Sequence, residues 1–303
     1  MKNLNFPLFI TWNITSNCNL RCKHCFRSEY YCDELNKDKI DKLIDLFINK
    51  NVNRIILTGG EPLKSKNLFY IAEKLQGKIK LGIATNGTLL TNEIISRLLK
   101  YKIKDFQISL DGATEYYNDF IRGNGVYKKV ISNIKKLLKF DCRVTLAMTV
   151  NSFNYDDILN NSISLVKSLG IKKLRIEYYI PINENKYLKS ISFEKMLALK
   201  NKLSNERDEI ELQMPTFDNN YGCGAGLYNC ILNSDLSLSP CDLLTHKYKT
   251  NKMKNIDDFQ KLWLDDVSFI KWREKSKCLS CKNNISCMAL EEIKKWVNFL
   301  RVL

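Results

Sequence analysis

The sequence predicts an α/β fold in which a parallel sheet curls into a partial (β/α)6 TIM-like barrel, and two observations carry the prediction. Six short runs rich in β-branched and aliphatic residues recur between Leu8 and Ile180, and the segments between them place apolar residues at helical intervals. Repeated strand-helix units with right-handed crossovers lay their strands side by side in one sheet, open or closed, and six units suit a partial barrel.

The strand runs are Leu8 to Asn13, Arg54 to Thr58, Ile79 to Thr85, Asp105 to Leu110, Arg143 to Val150 and Leu174 to Ile180. The helical segments are Ile40 to Ile48, Leu68 to Leu75, Ile94 to Leu99, Val130 to Leu138 and Ile158 to Leu169. After Pro181 the alternation is expected to stop, with a helix around Phe193 to Leu203 leading into a cysteine- and glycine-containing stretch. This divides the chain into a barrel of residues 1–207 and a small C-terminal domain of 208–303. The latter ends in an amphipathic helix with Leu290, Ile293, Trp296, Val297 and Leu300 on one face.

A chain of 303 residues can bury a substantial core, and 45% hydrophobic with 27% charged residues excludes disordered and fibrous classes. No apolar run reaches the roughly eighteen residues of a membrane span, and Met1 to Phe9 lacks the regions of a signal peptide. A cytoplasmic protein without membrane contact is expected. The net charge of +15 fits lysine-rich solvated helix faces such as Lys37 to Lys50. No zinc-finger, RNP-type or basic-zipper pattern accompanies it, so nucleic acid is not an expected partner.

Eleven cysteines in such a chain point to metal or redox chemistry rather than to disulfides. They fall at 18, 22, 25 and 32, then at 142, then at 223, 230, 241, 278, 281 and 287. Directly after the first strand run, Cys18, Cys22 and Cys25 form a C-x3-C-x2-C array. Thiolates are natural iron-sulfur ligands; a four-iron cluster usually takes four, so three leave one iron open to a small molecule. Zinc on the three cysteines and His24 is the structural alternative. The next strand runs end in Gly59-Gly60-Glu61-Pro62, in Thr85-Asn86-Gly87-Thr88 and in Ser109-Leu110-Asp111-Gly112, with Arg122 shortly after. In parallel α/β folds these strand ends converge on the site of chemistry.

In this order the motifs resemble the radical S-adenosylmethionine superfamily over roughly residues 8 to 180. The resemblance implies that Cys18, Cys22 and Cys25 are catalytic and ligate a 4Fe-4S cluster whose open iron chelates S-adenosylmethionine. It assigns Gly59, Gly60 and Glu61 to the methionine ammonium, Ser109 and Asp111 to the ribose or methionine part, and Arg122 to the carboxylate. Phe26, Pro62, Thr85 and Asn86 complete the implied cofactor pocket. Residues 85–88 also read as a plain turn, and Arg122 as part of a solvated one. Where the family pattern usually carries a His-Asp pair before the arginine, this chain has Tyr117-Asn118-Asp119.

The later cysteines resemble the SPASM extension or its shorter twitch form. That implies at least one auxiliary 4Fe-4S cluster on Cys223, Cys241, Cys278 and Cys281, with Cys287 competing for one place. Two auxiliary clusters, or zinc, remain alternatives. Cys32, Cys142 and Cys230 read as structural, with hydrogen-atom donation by one spare thiol as the alternative. The implied activity is reductive cleavage of S-adenosylmethionine to a 5'-deoxyadenosyl radical that abstracts a hydrogen atom from a ribosomally made peptide or a protein side chain. The outcome would be a thioether, a carbon-carbon crosslink, epimerisation or oxidation. Alternatives are a radical dehydrogenase of a small molecule such as an aminocyclitol or sugar, and a non-catalytic iron-sulfur or zinc redox sensor. A flavodoxin or ferredoxin is the expected electron donor, steered by the lysine surplus. No leader-binding domain is expected ahead of the first strand.

Overall fold

The computed structural model describes residues 4–26, 34–181, 187–215 and 224–283, with side chains as far as Lys275. Cys32, Cys223, Cys287 and the amphipathic stretch from Met288 lie outside the described residues. So do the side chains of Cys278 and Cys281, which fall on the last helix.

All six expected strands form: β1 (Phe9–Thr15), β2 (Arg54–Gly59), β3 (Lys80–Thr85), β4 (Asp105–Ser109), β5 (Arg143–Val150) and β6 (Lys173–Tyr178). They pair in chain order, every neighbour parallel. The crossovers are α1 (Lys37–Asn49), α2 (Leu68–Leu75), α3 (Asn92–Lys100), α4 (Glu115–Arg122) with α5 (Val126–Lys139), and α6 (Tyr155–Ser168). Side-chain caps set the starts of two of them, α1 and α3: Asn36 accepts from Lys39 N at 3.1 Å and Thr91 from Ile94 N at 3.2 Å. Each helix then buries one stripe, such as Ile40, Leu43, Ile44 and Phe47 of α1. The result is the α/β partial barrel expected.

The alternation continues past Pro181, contrary to expectation. Helix α7 (Phe193–Glu206) leads to β7 (Glu211–Gln213), which pairs parallel to β6. On the other edge β8 (Asn229–Leu232) pairs parallel to β1, followed by antiparallel β9 (Leu238–Ser239). The full order is β7-β6-β5-β4-β3-β2-β1-β8-β9, so β1 lies between two neighbours. Three-residue and two-residue strands carry too little periodicity to be seen in a sequence.

Helices α8 (Asp258–Asp265) and α9 (Val267–Asn283) close over the same edge. Phe259 stacks on Phe6 with centroids 4.8 Å apart and meets Phe47 edge-on at 5.6 Å, while Phe47 meets Trp12 of β1 at 5.7 Å. Trp263 donates to Leu4 O at 2.8 Å. The buried guanidinium of Arg273 donates to Gly226 O and Trp263 O at 2.8 and 2.7 Å and lies 4.5 Å from the Trp263 ring. Cys230, opposite Ile10 on β8, is fully buried in the core, and Cys142 is nearly so. Burial pushes both thiols up, that of Cys142 to about 11, as suits small apolar residues. Among the described residues no helix is long and apolar enough to cross a membrane.

A buried polar joint ties β8 and β9 to β1. Asn13 donates to Asn233 Oδ1 at 3.0 Å, and Asn233 donates to Ser237 Oγ and Ser239 Oγ at 3.1 and 3.0 Å. Asn233→Ala deletes this joint and leaves its partners short of bonds, so it should cost about 2 kcal/mol in urea unfolding, whereas exposed Asn251→Ala should change stability by less than about 0.5 kcal/mol.

Candidate active site

The loop after β1 carries the three cysteines, and its shape is set by the end of β2. Gly60 N donates to Thr15 O and Glu61 N to Asn17 O, each at 2.8 Å. The chains approach so closely that a Cβ on Gly59 would sit 2.2 Å from Thr15 O, and one on Gly60 2.4 Å from Asn17 O. Gly59 also has φ +149, which side-chain-bearing residues rarely adopt. The two glycines therefore admit the cysteine loop itself.

Glu61 is fully buried, and both its oxygens are taken by the protein: Thr85 Oγ1 at 2.6 Å, Asn86 N at 2.8 Å and Leu63 N at 3.1 Å. Burial pushes its carboxyl above the ordinary range, and these bonds offset part of that push. Glu61 thus links the ends of β2 and β3. Asn86 reaches back to the cysteine loop, donating to Asn19 Oδ1 at 3.0 Å with Cys18 Sγ 3.9 Å away, and Asn19 donates to Thr88 Oγ1 at 2.9 Å.

Asp111 plays the same part at the end of β4. It is fully buried, with Oδ2 2.7 Å from Arg122 Nε and 3.2 Å from His24 Nε2, and Oδ1 accepting from Thr149 N at 2.8 Å. Burial alone would raise its carboxyl, but Arg122 first and His24 next outweigh that and hold it below the usual range. His24, which burial pushes down, turns Nε2 to Asp111 and leaves Nδ1 buried without a protein partner. Backbone groups of Asp111 meet Asn118 Oδ1 and Asn154 Nδ2 at 3.0 and 2.8 Å. Asp119 accepts from Gly125 N and Tyr127 N, both at 2.7 Å, at the start of α5. Residues 118–119, where the sequence departs from the His-Asp pattern, therefore hold the β4 end and the α4–α5 turn.

One cavity lies at the C-terminal ends of the strands. It is lined by Cys18, Cys22, Cys25, Phe26, Gly59, Gly60, Thr85, Asn86, Ser109 and Arg122, which are ten of the positions singled out in the sequence. Glu61 and Asp111, both fully buried, and Pro62, also buried, do not line it. Cys241 is half-buried, and its neighbours Asp242 and Leu243 reach the cavity. Sequence reasoning missed these two together with Gln107, Thr149, Glu177, Tyr178, Tyr179 and Ile180. Thr149 and Glu177 sit at the ends of β5 and β6, so the strand-end rule contained the signal.

The residues fit a cluster with an open iron. Three thiols of one loop line one cavity, the glycine cradle leaves no room for a Cβ, and His24 Nδ1 is an unpartnered buried atom beside them. Among the described residues no three His, Cys, Asp or Glu side chains close on a point for a single ion, and His24 meets Asp111 through Nε2. Burial pushes the Cys22 thiol up to about 12, opposed by Arg122, so metal loading must displace a proton there.

Two outcomes follow. Gly60→Ala forces the cysteine loop out of place, and anaerobic reconstitution should leave it about four irons short of wild type. Asp111→Asn strands the buried Arg122 charge and should cost about 3 kcal/mol in urea unfolding of the metal-free protein at neutral pH. Because Asp111 is held low in the fold, its stabilisation is full above the ordinary aspartate range. It is lost as pH falls, so the deficit of the variant should narrow below about pH 4.

Residues 12–161 match the family model described as Radical SAM superfamily. Among curated proteins, the AdoMet-dependent heme synthase of Methanosarcina barkeri is 27% identical over 93% of this chain and 90% of its own length. The mycofactocin maturase MftC of Mycolicibacterium smegmatis is 25% identical over 94% of this chain and 78% of its own length. Among solved structures, Streptococcus suis SuiB bound to S-adenosylmethionine superposes with a TM-score of 0.76 at 19% identity. That match covers 94% of this chain and 73% of SuiB, and establishes likeness of fold. With this match carried by the segment that holds Cys18, Cys22 and Cys25, the chain belongs to the radical SAM superfamily, whose members use a 4Fe-4S cluster and S-adenosylmethionine.

Proposed function

We propose that this enzyme abstracts a hydrogen atom from a peptide or protein side chain and thereby matures it by crosslinking, epimerisation or oxidation. When bound, the cluster and S-adenosylmethionine supply one-electron reductive cleavage and a 5'-deoxyadenosyl radical. Cys18, Cys22 and Cys25 hold that cluster. The backbones of Gly59 and Gly60, with Phe26, Thr85, Asn86, Ser109 and Arg122, hold the cofactor against it, since all line the same cavity. Glu61 and Asp111 act through their neighbours: Glu61 fixes Thr85 and Asn86, and Asp111 fixes Arg122 and His24.

The observation that carries the finer reading is the segment Cys241 to Leu243. It comes from the C-terminal cysteine group, yet Asp242 and Leu243 form part of the cavity wall. A thiol ligand at Cys241 therefore belongs beside the reacting substrate. On this reading Cys223, Cys241, Cys278 and Cys281, with Cys287 as competitor for one place, hold an auxiliary 4Fe-4S cluster that anchors substrate or accepts its electron. The similarity to a mycofactocin maturase over 94% of this chain supports peptide maturation. A small-molecule substrate is the second reading, favoured by the similarity to an AdoMet-dependent heme synthase over nearly the whole of both chains. A flavodoxin or ferredoxin would deliver electrons, drawn by the charge of +15.

The test is anaerobic reconstitution with iron and sulfide analysis and dithionite-dependent release of 5'-deoxyadenosine. Wild type should bind about eight irons and release the nucleoside; Cys18/Cys22/Cys25 triple alanine should lose about four irons and all release. Incubation with short peptides encoded beside its gene, read by mass change, separates the two substrate readings. Release that survives in the triple variant would sink both.

A further inference from the structure

We infer that a ladder of aromatic rings at the rim of the cavity docks an apolar stretch of the peptide substrate while the residue to be modified enters the cavity. This rests on the peptide reading above and adds where the peptide lies.

The ladder is built by the three consecutive loops that follow β4, β5 and β6, all on the cavity's edge of the sheet. Tyr116, Tyr117 and Phe120 come from α4, Phe153 from the turn after β5, and Tyr187 from the segment after β6. Phe120 stacks on Phe153 with centroids 4.1 Å apart, Phe153 meets Tyr117 at 5.1 Å and Tyr116 at 5.8 Å, and Phe120 meets Tyr187 edge-on at 6.1 Å. Tyr116 is 68% exposed and Tyr187 52% exposed.

Single exposed rings are ordinary on a protein surface, but five in mutual contact form a patch of the kind that marks a recognition site. Phe120 and Phe153 rest on a small apolar cluster of Ile121, Tyr179 and Leu188 that is separate from the main core. Tyr179 also lines the cavity, so the ladder runs without a break from the solvent-facing tyrosines to the reacting space. Its inner end is fastened to the cysteine loop. Lys23, between Cys22 and Cys25, donates through Nζ to Phe120 O at 2.6 Å and through its backbone to Ile121 O at 2.9 Å, and its ammonium lies 3.4 Å from the Phe120 centroid.

Continuity with the cavity selects the occupant. A small molecule confined to the cavity would end at Tyr179 and leave the outer rings without a role, whereas a peptide can place one residue in the cavity and lay its neighbours along the rings. Rigid aromatic side chains supply such contact at little entropic cost.

The test uses two fluorescein-labelled peptides of about ten residues, one alternating leucine and phenylalanine with serine and glycine, the other with every apolar residue replaced by serine. Wild-type enzyme should bind the apolar probe at least about tenfold more tightly, and the double variant Tyr116→Ser, Tyr187→Ser should lose that preference. Both positions are exposed and outside the cavity, so 5'-deoxyadenosine release without substrate should match wild type. For any peptide the enzyme modifies, KM should rise about tenfold in the variant with kcat kept. Equal binding of the two probes by wild type, or an unchanged preference in the variant, overturns the ladder whatever the substrate is. An intact preference in an enzyme that modifies only small molecules overturns the peptide reading, and with it the role given to the ladder.

Discussion

A carboxylate buried away from water is stable only where cations and N–H groups surround it, and that requirement shapes the catalytic face around Asp111. To satisfy it, the cysteine loop contributes His24, α4 contributes Arg122 and β5 contributes the Thr149 amide. Three segments far apart in sequence are thereby drawn to the end of β4. Arg122 is left lining the cavity with its charge matched, and Cys22 lies within reach of that charge. Glu61 does the corresponding work for β2 and β3 with neutral donors alone. Two inward-facing acids thus organise a cavity that neither of them lines.

This arrangement explains what could be read in advance. Strand positions were legible to within a residue or two because a buried parallel strand is an apolar run, and the helices because their stripes repeat at helical spacing. The C-x3-C-x2-C array was legible because three thiols so close together have few other uses. Helix α4 carried its own signal, Thr114 before Glu115 and apolar residues at Tyr117, Phe120 and Ile121, which its place within a motif obscured. The orientation of Glu61 and Asp111 had no signal at all. A strand-end carboxylate reads as a ligand contact whether it faces the cavity or the protein, and only the surrounding donors decide.

The glycine pair makes a related point about packing. In the sequence, Gly59 and Gly60 read as a turn that opens a backbone to a small ligand. In the fold their missing side chains are first needed by the carbonyls of Thr15, Ser16 and Asn17. Any ligand contact made by the same backbone comes in addition to that close approach. The cysteine loop consequently has little freedom to adjust its height above the sheet, which suits a loop that has to present three thiols to one cavity.

The position of β1 between β2 and β8 has a consequence in time. A ribosome delivers β1 and its cysteine loop early, but the partner that completes the joint, Asn233, lies 220 residues beyond Asn13. Until that later strand emerges, β1 is an open edge and the aromatic packing of Phe259 over Phe47 and Phe6 is missing. Contacts of such long sequence separation form late in folding. Three thiols capable of collecting stray metal are therefore held on an unfinished frame until the strand that ends beside Asn233 has been made. Cys278 and Cys281 follow the residues that finish the frame by only a few turns of helix, so metal selectivity in the nascent protein becomes a matter of when iron is offered as much as of where it binds.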